Sequence, residues 1–252
     1  MSFRVSIVVV LFLWEMTAWG FVHVYAHKPR LPSTPEDPIV EFRWDGSSPK
    51  LTGKAFFRDG QYADFSDQEL MEVLLALSAE KWTDVRGSYL VLQVIVDPSS
   101  TVDPEDSIFS ITTVSSNAAT VGASARPMFD SQEPEEEQTE LELDRSIIQD
   151  CDILVSNGEV SAEGMFLTLV HELGHCLGLG HPHTNQHSIM SYARTSRASD
   201  LSLDDQAGAI FLYPEEDMVV TENLGCGTLG NWGHSYWFYI VLFLPILFWR
   251  LT

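Results

Sequence analysis

Apolar residues recur along this chain at two different spacings, and the spacings lay out its elements in order. Between Ser66 and Lys81, the residues Leu70, Val73, Leu74 and Leu77 fall three and four apart, which is one face of an amphipathic helix. Ser66 or Asp67 is placed to cap it. Tyr89–Val96 is a near-continuous apolar run ended by Asp97-Pro98, the pattern of a buried strand, and Ser107–Val114 reads as a second strand. Near the other end, Leu201–Tyr213 reads as a helix capped by Ser202 or Asp204, with Ala207, Ile210 and Phe211 as its apolar face and Pro214 as its stop. Residues 27–37 are Pro-rich and read as a linker or short pro-segment. No internal repeat is present.

Two further apolar stretches lie at the ends. Arg4 precedes the short apolar core Val5–Trp14, and Val24-Tyr25-Ala26 offers a small-residue cleavage site, so residues 1–26 read as a secretory signal peptide cut after Ala26; an uncleaved anchor is the alternative. At the other end, residues 219–231 carry Gly225-Cys226-Gly227, and residues 232–252 are apolar up to the basic Arg250. Trp232–Leu251 has the length of a spanning segment, with Arg250 on the cytoplasmic side. Small residues, spacer and tail also fit a GPI-anchor signal. The chain has no N-x-S/T sequon, and the layout resembles bacterial C-terminal sorting signals, in which the segment is removed and the exposed residue is anchored. These readings put the protein outside the cell or in the envelope, held at a membrane through its C-terminus.

Charge narrows the choice of partner. The chain has 36 acidic and 14 basic residues, a formal net charge of −22, which argues against nucleic acid and against peripheral binding to an anionic membrane. Much of the excess lies in Asp130–Asp144, either a solvated loop or a calcium site, since carboxylate oxygens suit Ca²⁺. No EF-hand spacing is present.

The chemistry is concentrated in His171-Glu172-Leu173-Gly174-His175-Cys176-Leu177-Gly178-Leu179-Gly180-His181. On a helix, positions i and i+4 share a face, so His171 and His175 can bind one metal ion, with Glu172 beside them to take a proton from water. Gly178 lets the chain leave the helix sharply, and the turn returns His181 as a third ligand. Three protein ligands leave a fourth tetrahedral position open, the mark of a catalytic zinc site. At roughly 5% usage per residue type, a chance match of the five fixed residues in a chain this long is on the order of one in ten thousand. His183 and His187 follow closely and read as exposed loop residues.

Downstream lies Ser188-Ile189-Met190-Ser191-Tyr192, and with it the chain resembles the metzincin metalloproteases, whose methionine turn forms a floor under the zinc. Leu201-Ser202-Leu203-Asp204-Asp205-Gln206-Ala207-Gly208-Ala209-Ile210-Phe211-Leu212-Tyr213 is similar to the segment that closes a matrixin catalytic domain. Ile147–Val155 looks like the family's strand before the active-site helix. The resemblance covers roughly residues 38–214 and is dense from 147 onward. It implies an α+β, zincin-like catalytic domain at 38–218: a twisted, mostly parallel sheet, an active-site helix, a loop-rich lower subdomain and a C-terminal helix. It also implies a protein or peptide substrate, laid extended along an edge strand near Cys151–Val155.

Three departures set the chain apart. No PRCGxPD segment is present, so the cysteine-to-zinc latency device is missing. No histidine occurs between His27 and His171, so the matrixins' second, structural zinc site cannot be built. Tyr192 stands where matrixins usually carry proline; it is similar to the tyrosine of astacins and serralysins that reaches the metal or the oxyanion, with plain packing as the alternative. With Cys226 assigned to the sorting motif, Cys151 and Cys176 remain as an even pair in an oxidising compartment. A disulfide between them would add roughly 3 kcal/mol by loop entropy; two buried thiols are the alternative.

The sequence therefore predicts a secreted, envelope-anchored zinc endopeptidase. His171, His175 and His181 are its metal ligands, Glu172 its general base, and Tyr192 a candidate for holding the oxyanion. The competing expectation is a catalytically silent metal-binding adhesion module.

Overall fold

The computed structural model describes residues 29–115, 122–129, 147–182, 185–192 and 200–215. The signal-peptide, acidic-run and C-terminal-anchor readings fall on residues outside these. Among the described residues no helix is long and apolar enough to cross a membrane.

The chain opens with strands β1 (Ile39–Trp44) and β2 (Lys50–Thr52), then helix α1 (Asp67–Thr83), then β3 (Val91–Val96), β4 (Phe109–Val114) and β5 (Ala123–Phe129). Strands β6 (Ile148–Ser156) and β7 (Glu159–Ser161) lead into helix α2 (Ala162–Cys176), and helix α3 (Leu203–Leu212) closes the domain. The main sheet has the order β3-β1-β4-β6-β5. Its β1, β3, β4 and β6 pair in parallel and β5 runs antiparallel to β6. The short β2 and β7 form a separate parallel pair. This is the mostly parallel α+β arrangement that the sequence predicts.

Each element follows from its residues. Ser66 and Glu69 form a reciprocal capping box at the start of α1, Ser66 Oγ accepting from the Glu69 N–H at 3.2 Å and the Glu69 carboxylate from the Ser66 N–H at 2.8 Å. The helix buries Leu70, Met71, Leu74, Leu75, Ala79 and Trp82, and the Trp82 indole N–H donates to the Val170 carbonyl at 2.9 Å. That bond ties α1 to α2, the two helices on one side of the sheet. In β1, Val40, Phe42 and Trp44 are buried while Ile39 and Glu41 are exposed, the period-two alternation of a strand covered on one face.

β6 is an interior strand, flanked by β4 and β5. The expectation that a peptide would add to an edge near Cys151–Val155 is therefore corrected: those backbone groups are already paired, and the edge belongs to β5. Cys151 and Cys176 form a disulfide with Cα atoms 5.6 Å apart, fastening the end of α2 to the sheet across 25 residues. Loop closure of that length corresponds to roughly 3.5 kcal/mol.

The Pro-rich segment read as a linker or pro-segment is built into the fold. Leu31 is buried, the Arg30 carbonyl accepts from the Ile148 N–H at 2.8 Å, and the Leu31 N–H donates to the Tyr213 hydroxyl at 2.8 Å. That hydroxyl donates in turn to the Leu177 carbonyl at 2.8 Å. Gly178, with φ of +97°, lies so close beneath the strap that a Cβ there would stand 2.0 Å from the Pro29 carbonyl oxygen. The turn after α2 thus requires glycine on two counts.

Candidate metal centre

His171 and His175 lie one turn apart on α2, and the turn at Gly178 brings His181 back to them. The three Nε2 atoms form a triangle with every side 3.1 Å. His171 Nδ1 faces the Ile189 carbonyl at 2.7 Å and His175 Nδ1 the Leu179 carbonyl at 2.8 Å. A carbonyl only accepts, so both Nδ1 atoms carry the proton and both Nε2 atoms present lone pairs to the centre of the triangle. Burial lowers the His175 pKa, opposed in part by the Leu179 bond, and favours the neutral ring. Inward lone pairs at this distance repel unless a cation sits among them. Two nitrogens each about 2.0–2.1 Å from a tetrahedral zinc stand roughly 3.3 Å apart, so the triangle fits that ion. Among the described residues these three form the one group of side chains able to hold a metal.

The loop beneath the ligands is held from α3. Met190 is buried against the helix backbone: a Cβ on Gly174 would lie 2.3 Å from Met190 Sδ and 2.8 Å from Trp82 Cζ2. Asp205 accepts from Ser188 Oγ at 2.5 Å, from the Ile189 N–H at 2.9 Å, and from the Ser202 N–H and Oγ at 2.8 Å each. One buried carboxylate thus caps α3 and fixes the Met190 turn. The expected apolar face of α3 is corrected by this arrangement. Ala207 is exposed and Ile210 and Phe211 half-buried, whereas Asp204, Asp205, Gly208, Ala209 and Leu212 point inward, because Asp205 must face the turn it holds. Of the two caps the sequence offered, Ser202 is the one used, and the Ser202–Asp205 spacing is the signal that could have found Asp205.

Glu172 is 7% exposed, and its Oε2 accepts the Ala125 N–H of β5 at 2.7 Å. The carboxylate therefore stands between the histidines and the sheet edge. Tyr192 is 72% exposed, with its ring stacked on that of His181, centroids 3.6 Å apart and planes inclined by 23°. His187 is exposed, away from the triangle's three members, and His183 lies outside the described residues.

The sequence of more than half the chain, residues 78–214, matches the matrixin peptidase family. This chain belongs to the matrixin family. Matrixins are zinc metalloproteases, and the histidine triangle is where this matrixin would hold the ion. No curated protein matches it. A chain in a solved structure, the GM1-bound form of the ECX AB5 holotoxin, is similar at 11% identity and a TM-score of 0.41, over 77% of this matrixin and 88% of that chain.

Behind the site, on the face of β6 opposite Cys151, the matrixin carries two carboxylates that sequence reasoning missed. Asp150 and Asp152 are each 1% exposed, and among the described residues none of their four oxygens has a partner at full hydrogen-bonding geometry. Burial raises the pKa of Asp150 to about 6, reinforced by the charge of Asp106 and opposed by the Ser107 N–H. Burial and the neighbouring Asp150 charge raise Asp152 to about 7, while Arg126 acts the other way. Alternation along β6 shows that both point to one face; only the fold shows that the face is covered.

Proposed function

We propose that this matrixin is a secreted, envelope-anchored endopeptidase that cleaves peptide bonds with Glu172 as general base. The observation that carries the reading is the convergence of three Nε2 atoms, 3.1 Å apart, beside a carboxylate tied to a sheet edge. Zinc held by His171, His175 and His181 supplies Lewis acidity toward water and toward a substrate carbonyl. Glu172 takes a proton from the attacking water and delivers it to the leaving amine nitrogen. Its bond from the Ala125 N–H holds the carboxylate against β5. Tyr192, stacked on His181, steadies that ring at the mouth of the site. The reading places one zinc in the protein; Ca²⁺, one of the two readings of the acidic run, would bind at residues outside those described.

The test compares the zinc-loaded wild type with Glu172→Ala on a peptide library. Cleavage by the wild type and a loss of at least 10³-fold in the variant are expected, a general base contributing about 10²–10⁴-fold. Equal activity in both removes Glu172 from the mechanism. No activity in either, with zinc bound, favours the adhesion module. Sequencing the mature protein from expressing cells tests export, with His27 expected as the first residue.

A further inference from the structure

The edge of β5 is the strand surface that borders Glu172. Antiparallel pairing gives Ser124, Arg126 and Met128 the partners Leu154, Asp152 and Asp150 on β6. The Gly122 carbonyl also turns toward β6, accepting from the Ser156 N–H at 2.7 Å. The Ala125 N–H points the opposite way, to Glu172. Because backbone groups alternate along a strand, Ala123 and Pro127 face outward with Ala125. The outward edge therefore carries three carbonyl acceptors, at positions 123, 125 and 127. Its donors are the Ala123 N–H and the Ala125 N–H that Glu172 already uses. Position 127 has no N–H at all.

We propose that Pro127 is a specificity-determining residue, which ends main-chain recognition of the substrate on one side of the scissile bond. The inference rests on the protease reading above. Antiparallel pairing is the more stable kind, and a peptide so laid on β5 has its amino-terminal half over Pro127 and its carboxyl-terminal half over Ala123. Opposite Pro127, the substrate N–H can donate to the proline carbonyl, but the substrate carbonyl of the same residue finds no donor. Beyond the two or so residues preceding the scissile bond, added peptide gains little from the edge. On the other side no described residue takes the outward Ala123 N–H or carbonyl, so main-chain pairing continues there.

Two nested peptide series test this, one lengthened on the amino-terminal side of the scissile bond and one on the carboxyl-terminal side. The zinc-loaded wild type should gain in kcat/KM with carboxyl-terminal length and stay within about twofold as the amino-terminal side grows from two to five residues. Pro127→Ala and Pro127→Val both restore an N–H with different side chains. Each should raise kcat/KM three- to tenfold for peptides long on the amino-terminal side, the worth of one net hydrogen bond, and leave the shortest peptides unchanged. A wild-type enzyme that gains equally on both sides overturns the proposal without any variant. So does an equal change on short and long peptides, an effect confined to the carboxyl-terminal series, or a rise in self-association with no change in kcat/KM; the last would make Pro127 only a guard against edge-to-edge pairing. Failure of the wild type to cleave any peptide overturns the protease reading, and this inference with it.

Discussion

Asp205 accepts the backbone N–H of Ile189 at 2.9 Å, and through that one residue it reaches the metal centre, because the Ile189 carbonyl accepts from His171 Nδ1 at 2.7 Å. Partners of this kind set the tautomer and orientation of a metal-binding histidine. Asp205→Ala leaves the buried Ile189 N–H and the half-buried Ser202 N–H without their acceptor. The variant should lose about 3 kcal/mol of stability and bind zinc some ten- to a hundredfold more weakly. Thermal unfolding and competition with a chelating dye measure the two effects.

Gly174 leaves no room for a side chain between Met190 and Trp82. Gly174→Ala should destabilise by about 1–3 kcal/mol through overpacking, although alanine is the better helix former by about 1 kcal/mol. Since the nearest obstacle is Met190 Sδ, Met190→Ala in the same chain should recover at least half of the loss. A double-mutant cycle by chemical denaturation reads this coupling.

Asp150 and Asp152 have folded-state pKa values of about 6 and about 7, above the ordinary carboxylate value of 3.8. A raised pKa means that the folded state holds its protons longer than the unfolded chain. The contribution is fully favourable below about pH 4 and is lost as pH rises through 6 and 7. Asp152→Asn removes the cost of ionisation, so it should be more stable than wild type at pH 8 by up to about 4 kcal/mol, the rise from 3.8 to about 7 counting about 1.4 kcal/mol per pKa unit. The advantage should vanish near pH 4. Urea unfolding at the two pH values checks it; an advantage at pH 4 equal to that at pH 8 would contradict it.

Tyr192 meets His181 through its ring face. Tyr192→Phe should hold zinc within about threefold of wild type and Tyr192→Ala about tenfold more weakly, the stacking of two rings amounting to about 0.5–1.5 kcal/mol. A drop in kcat for the phenylalanine variant at full zinc occupancy would give the hydroxyl a part in stabilising the oxyanion. Metal titration followed by turnover at saturating zinc separates the two roles.

The ligand set was legible because its spacing is local: one helical turn separates His171 from His175, and one glycine-directed turn brings in His181. The α1 boundaries were legible for the same reason, as Ser66 and Glu69 satisfy each other within four residues. What stayed hidden depends on neighbours distant along the chain. The outer strand of the sheet comes from β5, whose Ala-Ser-Ala-Arg-Pro-Met-Phe run has weak alternation, and its place beside β6 follows from tertiary pairing. Asp205 has its role only through the Ser188–Ile189 loop that the fold lays beside it. Asp150 and Asp152 alternate along a strand and so share a face, and their burial became visible only with the layers assembled.

The strap from Pro29 to Ser33 decides what counts as the whole domain. The family match begins at residue 78, yet β1 stands between β3 and β4 in the sheet, and Tyr213 at the far end of the domain is bonded to Leu31. A gene fragment cut to the matched boundaries would remove an interior strand, most of α1 and the partner of that tyrosine. The smallest piece worth expressing therefore runs from about residue 28 to 216, a unit fastened where its beginning meets its end.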